Sequence, residues 1–318
     1  MKNMHKRFFG LNDKMNVAVF YTGCLRTFEK TAPHNKKNLF FQKDPQVKIH
    51  LFACIQNDTQ ETEDAIGKKL VEFFKDENEN TALRSVKWFD NNNLQFQEWK
   101  NARVDSLDDA EVSASWKYYL KNSGSITEYV QFTHCWRQMV QYEIDTENTI
   151  DYVIRLRTDI VVATPLDFSL LPKTEKTQQG LMDWLSLERR QQGIFVEIVE
   201  KVPEMEEMRD NDRWLLSIRK NMLYIMPRIT AEIVSRLGEL YGTIKPQTPT
   251  QQDEFVVWMD AESQLQLICL QNGVVIFDST TQLEGKSVYE FKRNIYFDFD
   301  EEQEYLITSP QYAAFAYR

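Results

Sequence analysis

The sequence predicts an α/β fold: one domain with two unequal halves, built on a parallel sheet with helices on its faces. Three observations carry that expectation. Short apolar runs at 15–23 and 47–55 alternate with a segment at 61–76 whose apolar residues recur at helical spacing. A long helical pattern at 125–145 leads directly into the β-branched run DYVIRLRTDIVV at 151–162. No internal repeat and no low-complexity linker divides the chain.

The elements follow in order. MNVAVFYTG (15–23) ends at Thr22-Gly23, as a central strand should, and residues 24–28 form a loop that carries Arg26. Residues 32–42 are expected to be helical, with Pro33 near the first turn. VKIHLFACI (47–55) is the second strand. The helix at 61–76 places Ile66, Leu70, Phe73 and Phe74 on one stripe behind an acidic first turn. SVKWFD (85–90) reads as a third strand, and 91–112, with little periodicity, as a loop. In the helix at 125–145, Ile126, Tyr129, Val130, Thr133, Trp136, Met139 and Val140 keep the i, i+3/i+4 spacing.

Residues 152–162 form one strand in this reading. Arg155, Arg157 and Asp159 share one of its faces, and Ile154, Leu156 and Ile160 share the other. Charges on a covered strand must be paired or must hold something charged. Beyond 165 lie apolar stretches at 181–187 and 193–199 and an acidic segment at 200–212. A helix over 228–241 stops at Gly242, a helix over 248–273 closes with Asn272-Gly273, and a strand follows at 274–278.

Composition bounds the function. Of the 318 residues, 42% are hydrophobic and 27% charged, which excludes wholesale disorder. A formal net charge of −10 argues against a protein that wraps nucleic acid. Cys24, Cys54, Cys135 and Cys269 lie far apart, outside any metal-ligand spacing, and read as buried thiols of a reducing compartment. The first residues lack an apolar signal core, and no run reaches the roughly 18–20 apolar residues that span a bilayer. A soluble, cytoplasmic protein without a transmembrane segment is expected.

Ligands of open α/β sheets bind at the carboxyl ends of the strands. Two charged features fall at such ends: Thr22-Gly23-Cys24-Leu25-Arg26 after the first strand, and Arg157-Thr158-Asp159. No GxGxxG, GxxxxGK[ST], HExxH or GxSxG occurs, which sets aside dinucleotide dehydrogenases, P-loop kinases and the commonest hydrolases. No histidine follows His134, so acid–base work in the second half falls to carboxylates. The plain structural readings stand beside these: Arg and Asp on a half-exposed strand, Arg26 as a solvated loop residue, and His134, Trp214 and Trp258 as core or surface groups.

The text VFYTGCLRTFEKT, followed by a helix and by DYVIRLRTD, resembles GT-A glycosyltransferases, notably soluble enzymes of large DNA viruses of algae and of some bacteria. Asp212-Arg213-Trp214 and Gln252-Asp253-Glu254 agree in outline. The resemblance covers roughly residues 16–275. It implies a Rossmann-like mixed sheet of GT-A type, with a nucleotide-sugar-binding half (15–165) and an acceptor half (166–318). The implied donor is a UDP-sugar and the implied acceptor a hydroxyl of a glycan or glycoprotein, with the host cytoplasm as the location if the protein is viral. In such enzymes an Asp-x-Asp motif holds Mn²⁺ or Mg²⁺, and the cation holds the donor diphosphate. Here Arg157 replaces the first Asp, so Asp159 alone is carried over as metal ligand. Thr22, Gly23, Arg26, Arg155 and Arg157 are the remaining donor-binding candidates.

A second class of function stays open: a binding protein that keeps the fold without catalysis, which Arg157 in place of the first Asp favours. For catalysis, Asp253 is the first candidate base for an inverting transfer, with Glu254 next and Asp212 third. Thr250-Gln251-Gln252-Asp253 also fits a capping box, which would make Asp253 a helix cap instead.

Overall fold

Both faces of the first strands are covered, and the even and odd residues belong to different cores. In this computed structural model, β1 (Met15–Cys24) and β2 (Val47–Gln56) are buried along nearly their whole length. The structure describes residues 14–40, 44–59, 61–75, 80–108, 114–122, 124–162, 168, 193–196, 223–244, 261–272, 275–277, 282–283, 286–287 and 314–316.

Four strands run parallel. β1 pairs with β2 on one side and with β4 (Tyr152–Arg157) on the other, and β2 pairs with β3 (Thr81–Trp88). β7 (Leu223–Pro227) joins β4 antiparallel, β6 (Gly193–Val196) joins β7 antiparallel, and β8 (Val275–Phe277) runs parallel to β6. Among the described residues these seven strands make one mixed sheet in the order β3-β2-β1-β4-β7-β6-β8. The Rossmann-like mixed sheet expected from the sequence is the one that forms, and strands from both halves of the chain belong to it. A separate antiparallel pair joins β5 (Ile160–Val162) to β11 (Ala314–Ala316), and β9 (Gln282–Leu283) pairs with β10 (Lys286–Ser287).

One face of the sheet, with Ala18, Phe20, Phe52, Cys54 and Val153, packs on α5 (Ser125–Thr146) through Phe132, Cys135 and Met139. α6 (Arg228–Ser235), α7 (Leu237–Leu240) and α8 (Ala261–Gln271) complete that core with Val234, Leu237, Leu265 and Ile268. The opposite face, with Val19, Tyr21, Leu51, Ile154 and Leu156, meets Leu39, Phe40 and, from α2 (Glu63–Phe73) and its end, Ile66, Leu70 and Phe74. Each such aliphatic or aromatic side chain contributes about 1.5–3 kcal/mol on burial. Thr62 caps α2 by accepting from the Ala65 amide at 3.3 Å, and Glu63 and Asp64 occupy its first turn.

Several expectations need correction. The helix expected at 32–42 starts earlier: a 3-10 turn (Leu25–Thr27) runs into α1 (Phe28–Asn35), and a wider π-type segment (Lys36–Phe40) continues it. Pro33 therefore lies inside the helix, where it removes one ladder hydrogen bond. The third strand occupies 81–88 instead of 85–90. The loop expected over 91–112 contains α3 (Leu94–Asp105), capped by Asn93, which accepts from the Phe96 amide at 3.1 Å. α3 buries only Lys100 and Val104, so it presents little apolar period to read. α4 (Ala114–Asn122) follows it.

The single strand expected at 152–162 is two, because the chain turns at Thr158-Asp159. The helix over 228–241 breaks between α6 and α7, and Gly242 ends it with φ +75°, a conformation that suits glycine. Of the helix expected over 248–273, residues 261–271 are helical, and 248–260 lie outside the described residues. No helix among the described residues is long and apolar enough to cross a membrane. The four cysteines are free: Cys54, Cys135 and Cys269 are buried, Cys24 half-buried.

Candidate functional site

From β1 the chain steps outward to β2 and β3, then returns to place β4 on the other side of β1. This reversal puts a crevice at the carboxyl ends of β1 and β4, the position at which open α/β sheets take ligands. The sequence supplies polar and charged residues at that crevice.

Gly23 turns the chain out of β1 with φ +123°, and a Cβ there would stand 2.5 Å from Thr158 Oγ1. Only glycine suits both demands. Thr158 ties the two exits together: its amide donates to Thr22 O at 2.8 Å, and its hydroxyl donates to Cys24 O at 2.6 Å. Thr22 itself is buried, opposite Arg157 in the β1–β4 register.

A polar stripe on the following helix fixes the other side of the turn. Thr31 Oγ1 donates to Thr158 O at 2.6 Å, Asn35 Nδ2 to Ile160 O at 2.7 Å, and Asn38 Nδ2 to Val162 O at 2.7 Å. Asn35 Oδ1 also accepts from the Val162 amide at 2.7 Å. These buried side chains satisfy the β5 edge that faces away from β11, a role a neighbouring strand would otherwise fill. The turn bearing Asp159 is thereby held from two sides.

The two arginines of β4 face α5, and the residue that answers them is Glu128 in its first turn. Arg155 is 2% exposed and donates from Nη2 to Glu128 Oε2 at 2.5 Å. Arg157 donates from Nη1 to Glu128 Oε1 at 3.0 Å, from Nε to Asp159 Oδ1 at 2.9 Å, and from Nη2 to Asp159 Oδ2 at 2.6 Å. Two guanidinium and two carboxylate groups thus form a neutral cluster, which makes their burial tolerable. Burial pushes the Glu128 carboxyl up, but Arg155 and Arg157 outweigh it and hold it below the ordinary range. For Arg157, burial works against the charge, while Glu128 and Asp159 overcome that and keep the guanidinium protonated.

Arg26 is exposed on the turn after Gly23. The Leu25 amide beside it donates to Asp58 Oδ1 at 2.9 Å, which ties this turn to the exit of β2. The Cys24 thiol lies within the field of all these charges. Burial raises its pKa first and Asp58 next, with Asp159 in the same direction and Arg26 and Arg157 opposing. Arg26, Arg157 and Asp159 therefore all lie near Cys24, at the exits of β1 and β4. The Asn91 side chain, just past β3, accepts from Thr127 Oγ1 at 3.1 Å and brings the start of α5 to the same end.

Of the residues singled out in the sequence, Thr22, Gly23, Arg26, Arg155, Arg157 and Asp159 are brought together here. Asp212, Asp253 and Glu254 lie outside the described residues, as do Trp214 and Trp258. His134 is half-buried near the Phe89 ring, and Arg137 pairs with Glu239 at 2.6 Å on the surface. Glu128 and the Thr31-Asn35-Asn38 stripe were not anticipated. An acid in the first turn of the helix preceding a strand with two arginines was the available signal for Glu128.

A divalent cation needs several free oxygen ligands. Both Asp159 oxygens are engaged by Arg157, both Glu128 oxygens by Arg155 and Arg157, and no metal-competent group of three His, Cys, Asp or Glu occurs among the described residues. The described residues do not fit a bound cation.

No family model matches the chain. No curated protein matches it. Among solved structures, the apo form of mouse xyloside xylosyltransferase 1 is similar over 95% of this chain and 97% of that chain, at 10% identity and a TM-score of 0.42. A similarity of that size sets neither a family nor an activity, and the fold described above rests on the strand pairings themselves.

Proposed function

We propose that the chain is a glycosyltransferase that moves a sugar from a nucleotide-sugar donor, a UDP-sugar, to a hydroxyl of a glycan or glycoprotein acceptor. One observation carries this reading. Arg26 follows β1 and Arg157 ends the neighbouring β4, at the switch point of the sheet, in a chain whose text at those exits resembles GT-A enzymes. A nucleoside diphosphate leaving group needs compensating positive charge, and guanidinium groups supply it with matching geometry. Gly23 lets the backbone come close to the nucleotide. Residues 15–165 are assigned to the donor and 166–318 to the acceptor.

The acceptor oxygen attacks the anomeric carbon, the bond from that carbon to the diphosphate oxygen breaks, and UDP departs with the bonding electrons. The hydroxyl proton passes to a carboxylate, assigned to Asp253, with Glu254 and Asp212 as the next candidates. In-line attack with such a base gives inversion at the anomeric carbon.

The second reading is a nucleotide- or carbohydrate-binding protein without turnover, favoured by the guanidinium at the position of the first motif carboxylate. A thermal-shift panel of nucleotide sugars, followed by an assay of released nucleotide, tests both. A ligand at 100 times its Kd adds about 2.7 kcal/mol of stability. Stabilisation with release of UDP supports the transferase, and stabilisation without any release supports the binding protein. Stabilisation by no nucleotide sugar would overturn both.

A further inference from the structure

The motif resemblance implies a cation between Asp159 and the donor diphosphate, yet the side chains around Asp159 are arranged otherwise. Arg157 takes the first carboxylate's place in the motif and closes on Asp159 through a two-point fork, at 2.9 and 2.6 Å. A hard cation would coordinate through those same oxygens. It would also have to sit beside a guanidinium whose nitrogens lie within hydrogen-bond distance of its ligand, where two like charges repel. Glu128 cannot relieve this, because its oxygens hold Arg155 at 2.5 Å and Arg157 at 3.0 Å.

We infer that this chain binds the nucleotide diphosphate directly on the Arg157 guanidinium, with Arg26 as the second cationic group, and without a divalent cation. The inference rests on the transferase reading above and concerns the same crevice. A guanidinium carries five N–H donors. Three of those of Arg157 are engaged by described residues, from Nε, Nη1 and Nη2, which among the described residues leaves one hydrogen on each terminal nitrogen. The Arg157 side chain is 30% exposed, so these donors belong to a group that solvent and ligand can reach.

Glu128 and Asp159 then act as positioning residues. Engaging three of the five donors fixes the guanidinium plane before the ligand arrives, which lowers the entropy cost of forming phosphate hydrogen bonds. The neutral sum of the four charges lets Arg157 stay in place when the crevice is empty. Arg26 is exposed on the turn set by Gly23 and tied to Asp58, and its charge acts on the Cys24 thiol together with that of Arg157. Two arginines at the exits of neighbouring strands suit a diphosphate better than a single phosphate.

Calorimetric titration of the full chain with UDP, once in EDTA and once in Mn²⁺, tests this directly. A Kd that differs by less than about threefold between the two is expected, with Arg157→Gln weakening it by at least about tenfold in both. Arg157→Lys, which keeps the charge without the fork, should restore only part of the loss and serves if the Gln variant does not fold. Binding tightened threefold or more by Mn²⁺ would overturn the inference while leaving the transferase reading in place. Metal-independent binding that Arg157→Gln leaves unchanged would also overturn it. UDP binding in neither buffer would instead overturn the transferase reading beneath it.

Discussion

Helix α5 carries a glutamate near each end, and each meets arginine: Glu128 on β4, Glu143 at the start of α6. At the amino end of the parallel strands, Glu143 accepts from Arg228 at 2.8, 2.9 and 3.1 Å and from the Ile150 amide at 2.9 Å. Arg228 in turn lies 5.1 Å over the Trp136 ring. At the carboxyl end, Glu128 is shared between Arg155 and Arg157, and Arg157 also holds Asp159. Exposure does not separate the two ends, since Arg228 is 32% and Arg157 30% exposed. Position and stoichiometry do. The Glu143 pair fastens a helix to the turn before β4, whereas the Glu128 cluster borders the switch-point crevice beside a glycine exit.

The largest effect expected from this comparison is on stability. Glu128→Gln leaves the buried Arg155 charge without its anion and should cost about 3 kcal/mol or more, measured by urea unfolding. Glu143→Gln, whose arginine keeps access to water, should cost about 1 kcal/mol. Equal losses would mean that the carboxyl-end cluster is no more tightly buried than its counterpart.

Gly23→Ala comes next. The φ of +123° and the approach to Thr158 should together cost about 2 kcal/mol, and UDP binding should weaken because the turn bearing Arg26 must shift. Unchanged stability and binding would remove Gly23 from the site.

The amino end should show its own pH signature. His50 is buried, and its Nδ1 accepts from Arg84 Nε at 3.0 Å, so its Nε2 donates to Asn16 Oδ1 at 3.2 Å. Burial foremost, then Arg84 and Lys48, lower its pKa to about 3. The unfolded chain takes up this proton near pH 6.5, so below that pH it binds more protons than the folded chain and stability falls. The expected slope is about 0.7 kcal/mol per pH unit at pH 6.5 and approaches about 1.4 kcal/mol per pH unit toward pH 5. Subtracting the unfolding curve of His50→Gln should isolate it, and a flat difference would mean that His50 is protonated in the fold. The Glu128 carboxyl, held low, adds a further loss only at more acid pH, when it too must protonate.

How much was legible in the sequence follows from the same contrast. β1 and β2 were readable as near-continuous apolar runs, and α5 by the helical spacing of its apolar residues. α3 was not, because only Lys100 and Val104 of it are buried. The sequence placed Arg155 and Arg157 on one face of a strand and required a partner for them. It could not supply Glu128, because the pairing depends on how α5 lies across β4. The β4–β5 break was hidden for a similar reason: IRLRTDIVV has strand composition throughout, and the turn at Thr158 is imposed by Thr31, Asn35 and Asn38 from a distant helix.

The claim that the carboxyl-end cluster is the ligand site and the amino-end pair is a fastener is tested most directly by one calorimetric comparison. UDP is titrated into wild type, Arg157→Gln and Arg228→Gln, each shown to be folded under the conditions used. The expected result is at least about a tenfold weaker Kd for Arg157→Gln and an unchanged Kd for Arg228→Gln. Equal affinities in the two variants, or a loss confined to Arg228→Gln, would contradict it.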